Sequence, residues 1–372
     1  MLGNLHGPVA SAMPGERSAT SRLFDRVDGS MELARWISNP VYHRLRQANR
    51  CEREGQFMRV FITGIAGFIG SNLARRLLAE GFSVAGVDDL SAGLLSQVPA
   101  GTDFMEADIT SADLVPALRG SRVMFHLAAF SSIPGCQRDL VRAASVHGVG
   151  TAKVLHAADA AGVRKIIAAE TAAIYEGTTT YPTPESEDKP RTFYGITKRC
   201  VGQFVHSFAE DRGIAATTLR YFNVYGPNQD YRREIAPVVP AFIFALLRGE
   251  APVIYGDGSK SRDLVHIDDV NDFHLRAIHD ERTSMQVFNL GTGRATTVRQ
   301  VLELVQERLG LRREPVYLPD LPAEAPRTQA DISRARRVGW QPRVSLEDGI
   351  DSCIEFLRPI AEQSVATGRS AP

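Results

Sequence analysis

From Met58 onward, short runs rich in β-branched residues alternate with longer stretches whose apolar positions recur every three or four residues. The runs 59–63, 83–87, 123–127, 165–169 and 216–219 predict strands, and 68–79, 141–161 and 194–211 predict the helices between them. Strands alternating with helices of this length form βαβ units and therefore a parallel sheet. Crossovers in such a sheet are right-handed and ligands sit at the carboxyl ends of the strands. After Gly226 the rhythm loosens, and helices predicted at 236–248, 268–279, 298–309 and 346–357 are joined by Pro- and Gly-rich segments. The chain thus divides into a doubly wound part (58–226), a smaller α+β domain (227–360) and a tail (361–372).

Residues 1–57 show little periodicity and read as a poorly ordered extension, or as residues ahead of a functional start at Met58. Trp36 and Tyr42 leave a docked regulatory arm open as the alternative. No apolar segment follows the start, and Glu16, Asp25, Asp28 and Glu32 do not suit a transit peptide.

The first strand runs into Thr63-Gly64-Ile65-Ala66-Gly67-Phe68-Ile69-Gly70. A glycine-rich turn between strand and helix lets backbone N–H groups approach a pyrophosphate at the helix N-terminus. The fold class is therefore α/β of the Rossmann type. The second strand ends at Asp88, where an acid accepts both ribose hydroxyls of adenosine and repels a 2′-phosphate. No Lys or Arg occurs from Leu77 to Leu118, which favours NAD over NADP.

Tyr194 and Lys198 stand one helical turn apart and face one side. A free phenol has a pKa near 10; a lysine ammonium beside it, with a positive nicotinamide ring, favours the phenolate. The chain has only five lysines, Lys153, Lys165, Lys189, Lys198 and Lys260, so the spacing carries weight.

With these residues in view, 58 to about 360 resembles an extended short-chain dehydrogenase/reductase of the NAD-dependent epimerase/dehydratase group, similar to nucleotide-sugar epimerases. The segments that carry the resemblance are TGIAGFIG (63–70), VDDLSAG (87–93), HLAA (126–129), YGITK (194–198), RYFNVYGP (220–227) and NLGTG (289–293). The resemblance implies a cofactor site of Gly64, Gly67, Phe68, Ile69, Gly70, Asp88, Asp108, Ile109, Leu127, Ala128, Ala129, Tyr194, Lys198 and Tyr221. It also implies a catalytic set of Tyr194, Lys198 and Thr171, and substrate contacts from Asn223 and Arg262. Ser132 joins Ser131, Ala172 and Ala173 as small residues that would let a sugar turn in its pocket.

The positions after Thr171 narrow the reaction. Dehydratases of the group carry Asp-Glu there and a decarboxylating branch carries Glu two residues on; this chain has Ala172 and Ala173. The implied activity is epimerisation: transient oxidation at C4 of a nucleotide sugar and return of the hydride to the opposite face. A net NAD-dependent reductase or dehydrogenase, and a non-catalytic NAD-binding regulator, are the alternatives.

Departures from the family pattern leave the nucleotide and the sugar open. Glu170 precedes Thr171 where Ser is usual, Glu176 replaces a Gly and His147 an Asn. Leu321 stands where an arginine usually reaches the diphosphate, with Arg327, Arg232 and Arg233 as nearby replacements. The acidic run 185–188 reads as a solvated loop that could edge the site.

Basic and acidic residues balance at 43 each, which argues against a nucleic-acid binder. No apolar run predicts a membrane span. Four scattered cysteines, with no metal-ligand spacing among the histidines, argue against a metal site and fit a cytoplasmic protein. Family resemblance also implies a homodimer built on helices.

Overall fold

The computed structural model describes residues 58–233, 235–321 and 324–366. The extension 1–57 lies outside the described residues. A seven-stranded, all-parallel sheet contains β1 (Arg59–Thr63), β2 (Ser83–Asp88), β3 (Asp103–Glu106), β4 (Ser121–His126), β5 (Lys165–Thr171), β6 (Ala215–Tyr221) and β7 (Gln286–Leu290). Their order is β7-β6-β5-β4-β1-β2-β3. The helices are α1 (Phe68–Ala79), α2 (Val115–Leu118), α3 (Ile133–Arg138), α4 (Leu140–Ala144), α5 (Thr151–Ala160), α6 (Phe193–Arg212), α7 (Val238–Leu247), α8 (Ile267–His279), α9 (Val298–Leu309), α10 (Ser333–Arg337) and α11 (Leu346–Ala366).

Because both faces of a parallel sheet are covered, its strands are nearly continuous apolar runs. One face packs on α1 and α8 through Leu73, Leu77, Phe273 and Ile278. The other packs on α5 and α6 through Val154, Leu155, Val205 and Ala209. A separate cluster unites α7, α9 and α11 around Phe242, Val301 and Ile354.

Several differences from the sequence pattern have physical reasons. The pattern does not reveal β3 or β7: β3 is a four-residue edge strand with charged ends, and β7 lies beyond residue 226 yet completes the sheet beside β6. The helix expected over 141–161 is broken by a π-turn, Ser145–Gly150, between α4 and α5. α11 continues through Pro359 into the expected tail, because Ala361 is fully buried against its neighbours.

The loop before α6 is tied to the sheet by buried charge. Arg220 of β6 donates from Nε to Glu170 of β5 at 2.7 Å, and from Nη1 to the Tyr175 hydroxyl at 2.9 Å and the Glu185 carbonyl at 2.8 Å. Asp188 lies 3.6 Å from Arg220 and also pairs with Arg199 of α6. Within the acidic run, Glu185 and Asp188 are therefore structural partners of arginine rather than solvated. Removing one partner of a buried pair strands the other, at a cost of about 3–5 kcal/mol. Arg220→Ala should lower unfolding free energy by that amount in urea denaturation, and adding Glu170→Gln should restore part of it.

Candidate active site

At the carboxyl ends of β1, β2, β4, β5 and β6 lies a cleft of about 380 Å3. Every residue expected at the cofactor lines it: Gly64, Gly67, Phe68, Ile69, Gly70, Asp88, Asp108, Ile109, Leu127, Ala128, Ala129, Tyr194, Lys198 and Tyr221.

The glycine turn shows two separate needs. Gly64 has φ +74°, and a Cβ there would stand 2.8 Å from the Ala128 nitrogen, so the fold itself demands glycine. Gly67 has an extended backbone that any residue adopts, and its nearest protein atom to an added Cβ is 3.4 Å away. The protein leaves room at Gly67 at the mouth of α1, where the first amides of a helix can receive an anion. Asp88 accepts from the amides of Ala66 and Leu90, both at 2.9 Å, and so braces this turn. Its carboxyl is raised by burial, against the pull of those amides. A carboxylate has acceptor sites to spare for ribose hydroxyls. The basic-free stretch of sequence is approached in space from elsewhere: Arg142 lies 3.9 Å from Asp89 and Arg232 donates to the Ala92 carbonyl at 3.5 Å.

At the other end, α6 presents Tyr194 and Lys198. Thr192 caps this helix by accepting from the Gly195 amide at 3.1 Å. Glu176 holds the cap, accepting from the Thr192 amide at 2.8 Å and its hydroxyl at 2.9 Å. His147, inside the π-turn, accepts from the Phe130 amide at Nε2 (3.1 Å). Its Nδ1 therefore carries the proton and donates to Thr197 of α6 at 2.8 Å. Burial, with the Lys198 charge, pulls His147 down to about 3, so the ring is neutral. Glu170 turns away under α6, where a Cβ at Gly202 would stand 1.9 Å from its Oε1. The three departures thus brace the helix that carries Tyr194.

Lys198 is 3% exposed, and burial pulls its ammonium down to about 8 while Glu170 pushes it up. Burial pushes the Tyr194 phenol up to about 12, opposed by its hydrogen bond with Thr171 and by the Arg233 charge. The depressed phenol pKa expected from the sequence is therefore not supplied by the polypeptide: desolvation outweighs the nearby positive charge. Thr171 also accepts from the Ala173 amide at 3.2 Å, so one hydroxyl serves both backbone and phenol. The Tyr221 hydroxyl points away, to His274 at 2.7 Å. His126 is packed between Thr63 and Thr151 and held neutral.

Ser132, Asn223 and Arg262 do not line the cleft. Ser132 caps α3 by accepting from the Gly135 amide, and it is Ser131 that faces the cavity. Asn223 accepts from Thr328 at 3.0 Å. Arg262 is buried, paired with Glu324 and donating to the carbonyls of Ser261 and Ala325. Conversely, Arg142, Asp230, Arg232 and Arg233 do line the cleft. Arg232 and Arg233 are two of the three arginines expected as replacements for the one missing at Leu321; nothing in the sequence marks Arg142 or Asp230.

The family model described as NAD dependent epimerase/dehydratase family matches residues 60–291. This chain belongs to that family. It is 38% identical over 311 residues to the UDP-glucose 4-epimerase of Mycolicibacterium smegmatis, covering 81% of this chain and 99% of that one. Among solved structures it is similar to a UDP-glucose 4-epimerase from Thermotoga maritima with UDP-glucose, at TM-score 0.78 and 36% identity, over 82% and 99% of the two chains. It is also similar to the Thermus thermophilus UDP-glucose 4-epimerase complex with NAD, at TM-score 0.75 and 30% identity, over 81% and 99%.

NAD is the cofactor, and the cleft suits it: an amide-lined turn for a pyrophosphate, an acid for a ribose, and room at Gly67 that the protein does not fill. Gly67→Ala should leave the melting temperature of the cofactor-free protein within about 2 °C of wild type. Its NAD affinity, read by isothermal titration calorimetry, should fall by more than about tenfold. Gly64→Ala should destabilise the fold itself.

Proposed function

We propose that this protein is an NAD-dependent nucleotide-sugar 4-epimerase. The observation that carries the reading is the joining of Thr171, Tyr194 and Lys198 at one end of a cleft whose other end suits adenosine and pyrophosphate. Family membership and the UDP-sugar 4-epimerases among its relatives support the same reading. In it, residues 58–226 with β7 hold NAD and residues 227–360 mainly hold the substrate.

The chemistry assigns each side chain a task. Tyr194 takes the proton of the sugar C4 hydroxyl, with the Thr171 hydroxyl bridging sugar and phenol. Lys198 supplies donors to the nicotinamide ribose and positive charge near the phenol. Bound in this cleft, NAD would supply the acceptor for the C4 hydride and the donor for its return. Ala172, Ala173 and Ser131 leave space for the sugar to turn between the two transfers. Asn223 and Arg262 are the proposed contacts to the substrate's phosphates, with Arg262 exchanging Glu324 for phosphate as the substrate enters. Ala172 and Ala173 offer no carboxyl group for elimination or decarboxylation.

Tyr194→Phe should lower kcat by about 10²–10⁴-fold with NAD still bound. The assay is NMR of UDP-glucose and UDP-galactose interconversion at substoichiometric NAD. One-for-one accumulation of NADH in the wild type would instead indicate a net dehydrogenase.

The protein is further proposed to act as a homodimer in the cytoplasm, where its free thiols Cys136, Cys200 and Cys353 persist. On α6, Val201 and Val205 face the core while Ile196 and Phe204 are exposed. Beside them Leu140 and Val141 of α4 are exposed, Val141 at 78%, as is Val149 of the π-turn. Apolar side chains side by side on two packed helices suit burial against a second copy. Val141→Asp with Phe204→Asp should shift the light-scattering mass from dimer to monomer.

A further inference from the structure

Residues 228–233 run across the cleft as a strap. At its start, Asn72 of α1 donates to the Pro227 carbonyl at 2.9 Å and Gln97 donates to the Asn228 carbonyl at 3.2 Å. Further on, Arg232 donates to the Ala92 carbonyl at 3.5 Å, on the loop after β2. Arg233 donates to the Ser131 carbonyl and hydroxyl, both at 3.3 Å, on the loop after β4. In the sheet, β1 lies between β4 and β2. A segment that touches the loops after β2 and after β4 therefore spans the position of β1, whose glycine turn lines the same cleft.

Asp230 organises the two arginines, accepting from Arg232 Nε at 2.8 Å and Arg233 Nε at 3.3 Å. A guanidinium has five N–H donors. These contacts occupy two on Arg232 and three on Arg233, so both keep donors for a ligand. The group carries a net positive charge and lines the cleft. The Arg233 charge also reaches Tyr194 and favours its phenolate, which sets this guanidinium near the catalytic end.

We infer that Arg232 and Arg233 form a diphosphate-binding site, closing from above on an anion whose other side rests on the amides of the glycine turn. Guanidinium forks match phosphate oxygens, and two oxygens of a diphosphate can each meet one fork. Sharing the cleft with residues 64–70 favours the cofactor's diphosphate; the nucleotide sugar's is the second source of the same chemistry. The inference deepens the proposed function and rests on it for the second source only.

The test uses the full-length protein stripped of nucleotide and its Arg232→Gln/Arg233→Gln variant. Calorimetric titrations with NAD, ADP-ribose and UDP, and NAD retention through gel filtration, are compared. The expected result is a loss of NAD and ADP-ribose affinity of at least about tenfold with UDP binding unchanged. The Arg232→Lys/Arg233→Lys variant should recover part of it, and melting temperatures should match. Weakened UDP binding with NAD affinity intact would support a diphosphate site and assign it to the substrate. Unchanged binding of all three ligands, or equal losses in a variant whose melting temperature has dropped and which the lysine variant does not rescue, would overturn the inference. Binding is read without turnover, so absence of epimerase activity in the wild type would remove the proposed function and leave this result standing.

Discussion

A lysine ammonium that is almost wholly buried is the constraint around which the site is organised. Removing such a charge from water costs several kcal/mol unless the surroundings compensate. Among the described residues no ion pair within 4 Å holds Lys198; its place is set by α6, which several side chains brace. Glu176 fixes its cap, His147 bonds Thr197 in its second turn, and Glu170 fills the notch at Gly202. The Arg220 ion pair in turn fixes Glu170. A site that must hold two reacting groups in register benefits from such supports, because small displacements are costly in rate.

This arrangement also explains the basicity of Tyr194. The same dense packing that positions the phenol raises its pKa to about 12. Thr171 and Arg233 oppose the effect without overcoming it. In the proposed reaction the oxidised nicotinamide ring would add positive charge, which would link the strength of the base to the state of the cofactor.

Much of this was legible in the sequence, for identifiable reasons. Central strands such as β1, β2 and β5 are buried on both faces, so their apolar runs stand out. The short edge strand β3 does not, and β7 pairs with β6 only after a long excursion of chain. The residues expected at the cofactor follow one another in short motifs, so the fold carries them to one cleft together. Ser132, Asn223 and Arg262 were harder to place. Their side chains are taken up by a helix cap, by Thr328 and by Glu324, partners set by tertiary contacts. Glu170, Glu176 and His147 read as departures with unknown effect on the substrate, yet each acts on one helix, which no linear spacing reveals.

The notch between Glu170 and Gly202 has a further consequence for how the protein can change. A methyl group at position 202 would overlap the Glu170 carboxylate, whose own ion pair prevents it from moving aside. A smaller residue at 170 opens space at 202 but leaves Arg220 with only the more distant Asp188, at 3.6 Å, as counter-ion. The three positions therefore form an epistatic unit. A replacement at any one of them disturbs the other two, so a change at one alters which changes the others tolerate.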